Sequence, residues 1–165
     1  MNILTYATPV STAPSRVWSL GLFKDTLSEA NLRKSGGVCV LQLLTKQHMD
    51  TVPILGSVSG RDVDKKTECQ KIGLEWEDLK DDDGFQVLPG CVTYVKLSIK
   101  GGVVDAGSHL IVPFCEVVET YTSLDSDDNQ QHLSTGMLRN EGIITEKGRV
   151  AESKQFSLSS SSSVN

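Results

Sequence analysis

Residues 2–25, NILTYATPVSTAPSRVWSLGLFKD, decide how the rest of the chain is arranged. β-Branched and aromatic residues in the first half of this stretch, and apolar residues over 17–23, predict two strands. Pro9 and Pro14 interrupt the stretch, and because proline fixes φ and lacks an N–H, they exclude a continuous helix. The stretch ends at Lys24-Asp25-Thr26, where a helical pattern begins. The sequence therefore predicts a pair of strands, joined by a proline-containing turn, that leads directly into a helix.

The junction between the second strand and this helix is a candidate phosphate site. Lys24 offers a cation and Thr26 a hydroxyl, and the first N–H groups of a helix have no partner inside the helix, so they can point at an anion. A plain strand end, a helix cap and a solvated lysine fit the same residues. The residues alone favour this simpler interpretation and leave the phosphate site open.

The composition describes one domain with a real core. The chain has 165 residues, of which 38% are hydrophobic, and this is enough for a single core. The net charge of −5 argues against a nucleic-acid surface, because phosphate backbones require clustered lysine and arginine. No apolar run reaches the length of a membrane span, and no signal peptide opens the sequence. We therefore expect an intracellular, cytoplasmic protein without a nucleic-acid or membrane partner.

The four cysteines indicate neither a metal site nor a redox pair. They are Cys39, Cys69, Cys91 and Cys115, and no two of them form a CxxC motif. Zinc knuckles and redox dithiols need such close spacing. Cys39 and Cys115 lie in apolar runs typical of core strands. We therefore expect reduced thiols and no metal.

Strands and short helices follow one another along the rest of the chain. Thr26 and Glu29 have capping-box spacing for the first helix, and Gly36 and Gly37 end it. The later predicted elements are a buried strand over 37–44, a short helix from 46 that is disturbed at Pro53, a helix over 64–72, strands over 92–99 and 110–122, and a mixed strand and turn segment over 132–144. Residues 56–66, 75–84 and 123–131 are predicted loops. Pro113, inside the longest strand, indicates an edge or a bulge.

These elements predict a mainly antiparallel β-barrel with small peripheral helices, because strands outnumber helices and hairpin turns join them. The strands after Gly37, Gly90 and Ser108 are expected in one closed or nearly closed barrel, with the helices outside it. The domain spans residues 1–150. Residues 151–165 lose apolar content and end in a serine run, so we expect a disordered tail. The sequence contains no phosphate-binding glycine loop and no nucleophile elbow.

Several short motifs, in this order, resemble the flavin reductase-like, FMN-binding split-barrel family. They are TPVS at 8–11 with Ala13-Pro14, the strand 17–23 ending in Lys24-Asp25-Thr26, the helix closing on Ser35-Gly36, the strand 38–44, SGRDVDK at 59–65, LPGC at 88–91, and GSH at 107–109 with Glu116-Val117 further on. The resemblance covers residues 1–148. It implies a mainly β fold, an antiparallel Greek-key split β-barrel with short peripheral helices, and a homodimer that holds FMN in a groove between subunits.

The resemblance also implies a reaction and its residues. Hydride passes from NADH or NADPH to the flavin, and no acid–base pair is needed because the cofactors carry the chemistry. Thr5 and Thr8 stand where the family offers hydroxyl and backbone groups to the flavin. The other implied residues are Val10 and Ser11 on the same strand, Lys24 and Thr26 for the FMN phosphate, and His109, the candidate catalytic residue near flavin and nicotinamide.

The chain departs from the family pattern in three places. It begins inside the barrel sequence, short of one or two strands, which would expose a sheet edge and favour pairing with a second copy. Ser108 replaces the usual acidic residue before the histidine, and Pro14-Ser15-Arg16 replaces a double proline. Two other functions therefore stay open. One is a flavin-binding or flavin-storing module without reductase activity, and the other is a degenerate barrel that acts as an interaction protein without a cofactor.

Other polar residues receive structural interpretations. Ser11 is expected to form a turn more readily than to bind a ligand. Arg61 and Lys65 are expected to pair with Asp62 and Asp64, and a phosphate contact is the alternative. The sequence gives no role to the two remaining histidines, His48 and His132.

Overall fold

The computed structural model describes residues 1–4, 6–80, 84–122 and 131–155. Its strands are β1 (Tyr6–Ser11), β2 (Val17–Phe23), β3 (Val38–Leu43), β4 (Glu77–Asp78), β5 (Gln86–Val87), β6 (Thr93–Ile99), β7 (Val104–Ala106) and β8 (His109–Thr122). Its α-helices are α1 (Leu27–Lys34), α2 (Thr51–Ser57), α3 (Lys65–Lys71) and α4 (Thr135–Asn140). Two short 3-10 helices span Lys46–His48 and Glu152–Lys154.

One antiparallel sheet organises the molecule. Its strands follow the order β1-β2-β8-β6-β3, and β7 also pairs with β8. The long strand β8 lies at the centre: its first half pairs with β2 and β7, and its second half pairs with β6. The strands after Gly37, Gly90 and Ser108 therefore share one sheet, and no helix interrupts the order of its strands. The order ends at β1 and β3, so among the described residues the strand pairing alone does not close the expected barrel. The mainly antiparallel β fold with short helices is confirmed.

Pro113 sits at a bulge rather than at a sheet edge. The β2–β8 register shifts between the pairs Trp18↔Cys115 and Leu20↔Val112, which leaves one extra residue on β8. On its other side, β8 changes partner here from β7 to β6. Proline cannot donate a ladder hydrogen bond, so a bulge between two partners accommodates it inside a central strand.

Three apolar clusters form the core. The first lies on the inner face of the sheet and contains Leu20, Val95, Leu97, Val112 and Cys115. The second lies on the other side of β3 and β6, beneath α2 and α3, and contains residues such as Leu55, Leu88 and Tyr94. The third joins α2 to the segment around α4 through Val52, Leu138, Ile143 and Ile144. Ile3 packs against both the second and the third clusters, so the first residues of the chain help to close the core.

The four cysteines are free thiols, as expected. Burial raises the pKa of Cys39 and of Cys91 to about 12 and that of Cys115 to about 11. The thiolate is the reactive form of cysteine, so these three side chains are inert core residues near neutral pH. No helix in the described part of the chain is both long and apolar enough to cross a membrane.

The structure corrects two predictions about helices. The segment over 132–144 contains α4, not a strand, because the Ser134 hydroxyl accepts a hydrogen bond from the Met137 N–H and starts a helix. Pro53 does not disturb a helix either. It lies in the first turn of α2, where an N–H would have no partner within the helix. Residues 56 and 57, predicted as loop, belong to the same helix.

Some predictions lie outside the described residues. They concern Thr5, the acidic run 81–83, most of the loop 123–131 and most of the tail over 151–165. Within the predicted tail, the described residues form the 3-10 helix Glu152–Lys154.

Candidate functional site

His109 begins β8 and is held by a hydrogen bond and two aromatic rings. Its Nδ1 lies 2.9 Å from the Ser108 hydroxyl. The ring centroid of Phe23 is 4.0 Å away, and that of Tyr6 is 5.5 Å away in an edge-on arrangement. The register Phe23↔His109 between β2 and β8 produces the closer contact. These contacts fix the imidazole against the sheet.

The other nitrogen of this ring has no partner among the described residues. This atom, His109 Nε2, is buried. Buried polar atoms almost always have partners, so an unsatisfied one marks a place where a ligand or a water belongs. His109 also lines a cavity of about 690 Å³ together with Ser108, Tyr6 and Phe23. That volume lies in the range typical of ligand sites.

The cavity wall is mainly apolar. Leu41, Leu43, Val52, Leu55 and Ile144 line it, and so do residues 1–4. Polar groups on the wall include Gln42, His132, Lys147 and Arg149. A mostly apolar pocket with a few polar groups suits a flat organic ligand that carries charged substituents.

Lys24 lies beside His109 but already has a carboxylate partner. Its Nζ is 2.6 Å from Asp105 Oδ2, and its backbone N–H donates to the Ser108 carbonyl. The hydrogen bond to Asp105 raises the pKa of Lys24, and the same bond lowers the pKa of Asp105. A phosphate at Lys24 would therefore compete with the Asp105 carboxylate.

Thr26 caps α1, as the sequence predicts. Its hydroxyl accepts from the Glu29 N–H at 3.3 Å and donates to the Phe23 carbonyl at 3.0 Å. The Glu29 carboxylate accepts from the Asp25 N–H and pairs with Arg33, and mainly this pairing lowers the pKa of Glu29. The start of α1 therefore carries an anion of its own.

Arg61 and Lys65 do not form the ion pairs expected of them. Arg61 donates from Nη1 to the Asp25 carbonyl at 2.8 Å, which adds a second cation at the start of α1. Lys65 is only 7% exposed and donates to the Leu55 carbonyl at 2.6 Å, so burial lowers its pKa. Asp64 instead caps α3. The nearby aspartates suggested carboxylate partners, but both cations bond backbone carbonyls instead.

The candidate flavin residues of β1 lie on an edge strand. Thr8 faces the same side of the sheet as Tyr6, two residues away, and its side chain is exposed. Val10 is 51% exposed. Ser11 donates to the Ala13 carbonyl at 3.0 Å and so supports the proline-containing turn. The remaining candidate, Thr5, is not among the described residues.

An exposed apolar surface surrounds these residues. Four strands place Tyr6, Gly21, Ile111 and Val104 opposite one another. The side chains of Tyr6, Ile111 and Val104 therefore share one face. We call this surface the outer face and define it by Tyr6, Phe23, Val104, Ile111, Phe114 and Val118, which are between 38% and 57% exposed. His109 lies within it, beside Phe23. Exposed apolar residues grouped in this way make the outer face a candidate interaction surface.

Sequence reasoning identified His109 but missed the residues that surround it. Ser108 attracts notice only as a departure from a motif, and Asp105 belongs to no motif. The aromatic contacts of Tyr6 and Phe23 with His109 depend on the pairing of β1, β2 and β8, and residue spacing does not show this pairing. No cluster of three or more His, Cys, Asp or Glu side chains that could hold a metal ion occurs in the described ranges.

Comparison with known proteins gives a family match. The model of the flavin reductase like domain matches residues 2–140. An FMN-binding protein from Thermus thermophilus has a similar structure, with a TM-score of 0.60 and 20% identity over 77% of this chain and 66% of that one. An NADH:FAD oxidoreductase from Streptomyces globisporus gives a TM-score of 0.58 and 17% identity over 76% of this chain and 67% of that one.

A third similar structure extends over more of the chain. Flavoredoxin from Methanosarcina acetivorans gives a TM-score of 0.58 and 13% identity over 92% of this chain and 67% of that one. The matches with the Thermus thermophilus protein span about two thirds of its length. At these identities the structural likeness shows the fold alone, and it confirms the predicted split-barrel fold class. The chain has no match among curated proteins.

Proposed function

This chain belongs to the flavin reductase-like domain family, and on that premise we propose that it binds FMN and transfers hydride from NADH or NADPH to the flavin. The observation that carries the proposal is the buried Nε2 of His109, which has no partner among the described residues, in a residue that lines a cavity of about 690 Å³. Tyr6 and Phe23 on the same wall offer aromatic surface for a flat ring. When bound, the flavin supplies the hydride-accepting chemistry, and the protein supplies placement and electrostatics.

In this proposal β1 holds the flavin ring. β1 is the last strand of its sheet and has no partner on its outer side among the described residues. Its free backbone groups can therefore bond the polar edge of a flavin, as an edge strand does with an added strand. The Thr8 hydroxyl and the backbone of Val10 and Ser11 are the candidate contacts.

His109 is the proposed catalytic residue because it lines the cavity beside Tyr6 and Phe23 and has a ring nitrogen without a partner among the described residues. Its Nδ1 is engaged by the Ser108 hydroxyl, so only Nε2 remains for a ligand. Whether Nε2 donates or accepts depends on which tautomer the Ser108 hydroxyl selects. In either form, Nε2 can orient an oxygen or nitrogen of the flavin or nicotinamide.

The phosphate of FMN is assigned to the start of α1. Lys24, Thr26 and Arg61 converge there, since Arg61 bonds the carbonyl of the residue between the other two. A phosphate carries close to two negative charges near neutral pH and is a stronger partner for lysine than a single carboxylate. We therefore expect it to displace Asp105 from Lys24.

The proposal is tested on the purified chain. We expect FMN fluorescence to be quenched on titration and NADH or NADPH to be oxidised when FMN is present. His109→Asn should lower turnover and weaken FMN binding, because it removes the imidazole Nε2 that carries the proposal. Binding without oxidation would instead identify a flavin-binding module. No quenching at any FMN concentration would contradict the proposal and favour an interaction protein without cofactor.

A further inference from the structure

A short turn beyond the family match contributes to the wall of the cavity. The match ends at residue 140, and residues 145–150 form a compact turn in which the Thr145 N–H donates to the Arg149 carbonyl and the Gly148 N–H donates to the Thr145 carbonyl. Ile144 and Val150 bridge the base of the turn and pack into the third core cluster. The turn is therefore fixed to the core at both ends.

Two cations of this turn line the cavity, and neither has a counter-ion among the described residues. Lys147 and Arg149 are both wall residues, and neither pairs with a described carboxylate. Glu146, the acidic residue of the turn, lies instead 3.8 Å from Arg139. In a chain with net charge −5, two exposed cations on one cavity wall, neither paired with a described carboxylate, form a candidate anion site.

The positions of the charges suggest a second phosphorylated ligand. Lys24 and Arg61 lie at the start of α1, whereas Lys147 and Arg149 follow α4. Both Lys24 and the turn are near the cavity that His109 lines, since Lys24 bonds Ser108 and the turn itself is on the wall. When the flavin phosphate binds Lys24 and Arg61, Lys147 and Arg149 remain for the second substrate of the reaction, which is the electron donor.

We propose that Lys147 and Arg149 bind the phosphate groups of the dinucleotide electron donor, and that the turn 145–150 thereby sets the affinity of this chain for that donor. The inference rests on the proposed function. The guanidinium of Arg149 suits paired phosphate oxygens, and the ammonium of Lys147 adds a point charge. The apolar wall and His109 then receive the nicotinamide end.

The experiment compares Lys147→Gln, Arg149→Gln and the double variant with the wild type. Each single change removes one charge-assisted contact, so we expect the KM for the donor to rise by about tenfold. The double variant should show a larger rise, with kcat at saturating donor and the affinity for FMN both nearly unchanged. Lys154→Gln is the matched control, because this exposed lysine follows the turn but does not line the cavity.

A direct binding measurement separates this inference from the proposed function. The wild type and the variants are titrated with NADH, followed by the fluorescence of NADH, without flavin. Weakened NADH binding in the variants supports the inference even if the chain fails to bind FMN. Failure to bind FMN would contradict the proposed function but not this inference. Unchanged NADH binding in the double variant, or weakened binding of FMN in place of NADH, overturns the inference. Reduced nicotinamide riboside, which lacks phosphate, should bind all variants alike.

Discussion

At the scale of single residues, two histidines show how surroundings decide role. His48 is fully buried, and both of its nitrogens have partners: Nδ1 accepts from the Thr45 N–H at 3.1 Å, and Nε2 donates to the Pro89 carbonyl at 2.8 Å. His109 has one partner and one unsatisfied nitrogen. The first histidine is structural and joins the 3-10 helix Lys46–His48 to the turn at Pro89, whereas the second keeps a ring nitrogen without a partner among the described residues.

His48 makes stability depend on pH. Burial lowers the pKa of His48 below its ordinary value, so below about pH 6.5 the unfolded chain binds the proton more readily than the folded chain. The free energy of unfolding should therefore fall as the pH falls from about 6.5 through the lowered pKa, by at most about 1.4 kcal/mol per pH unit. Urea unfolding at several pH values between about 7.5 and about 5 measures this slope.

His48→Gln should reduce that slope and lower stability at neutral pH by roughly 2–4 kcal/mol, because buried groups at Thr45 and Pro89 lose good partners. His132→Gln is the control, since that histidine is exposed. If His48→Gln and the wild type show the same pH dependence, another group is responsible.

Lys24 gives the second prediction at this scale. Lys24→Ala should weaken FMN binding by about tenfold to a hundredfold, because it removes a charge-assisted hydrogen bond worth roughly 1.5–3 kcal/mol. Riboflavin lacks the phosphate, so its binding should change little. Asp105→Asn should act in the opposite direction and strengthen FMN binding, since it frees Lys24 from a carboxylate at 2.6 Å. Fluorescence titration of both flavins measures all three effects.

Equal weakening of both flavins by Lys24→Ala, or of neither, would exclude Lys24 as the phosphate ligand. Arg61 would then be the next candidate at the start of α1, because its guanidinium bonds the Asp25 carbonyl.

At the scale of elements, periodicity and capping residues predicted the strands and helices that depend on local interactions. The cap of α1 at Thr26, the strands β2, β3, β6 and β8, and the helix after Asp64 follow from periodicity and capping residues, and the structure contains them. β7 was missed because a three-residue strand is too short to show a period and exists only by pairing with β8. The sequence over 132–144 did not predict α4, because Gly136 in its first turn is a weak helix former. The helix forms there with Ser134 as its cap.

The candidate site was only partly predictable for the same reason. His109 and Lys24 come from recognisable motifs, but their surroundings come from pairings between distant segments. Asp105 reaches Lys24 across 81 positions of sequence, and Phe23 reaches His109 through the β2–β8 register. The turn 145–150 carried no motif, and its place on the cavity wall depends on the packing of Ile144 and Val150. Residue spacing does not predict tertiary contacts of this kind.

At the scale of the whole molecule, the exposed apolar residues of the outer face favour contact with a partner. Phe114 and Val118 are more than half exposed, although they lie on the central strand of the sheet. Val112 and Cys115 on the same strand point into the first core cluster, so the strand is apolar on both sides. Strands covered on one side alone normally alternate apolar and polar residues. A strand that departs from this rule is adapted to be covered on both sides.

We expect a second copy of the chain to cover the outer face, since a two-fold arrangement brings the same patch of both copies together. Sedimentation at micromolar concentration should give a dimer. Phe114→Glu, which places a charge in the contact, should give a monomer and weaken FMN binding, because His109 lies within this face. Ile72→Glu is the matched control: Ile72 is 45% exposed but follows α3, outside the outer face, so this variant should remain dimeric. A wild-type chain that is strictly monomeric and still binds FMN tightly would show that one subunit alone builds the site.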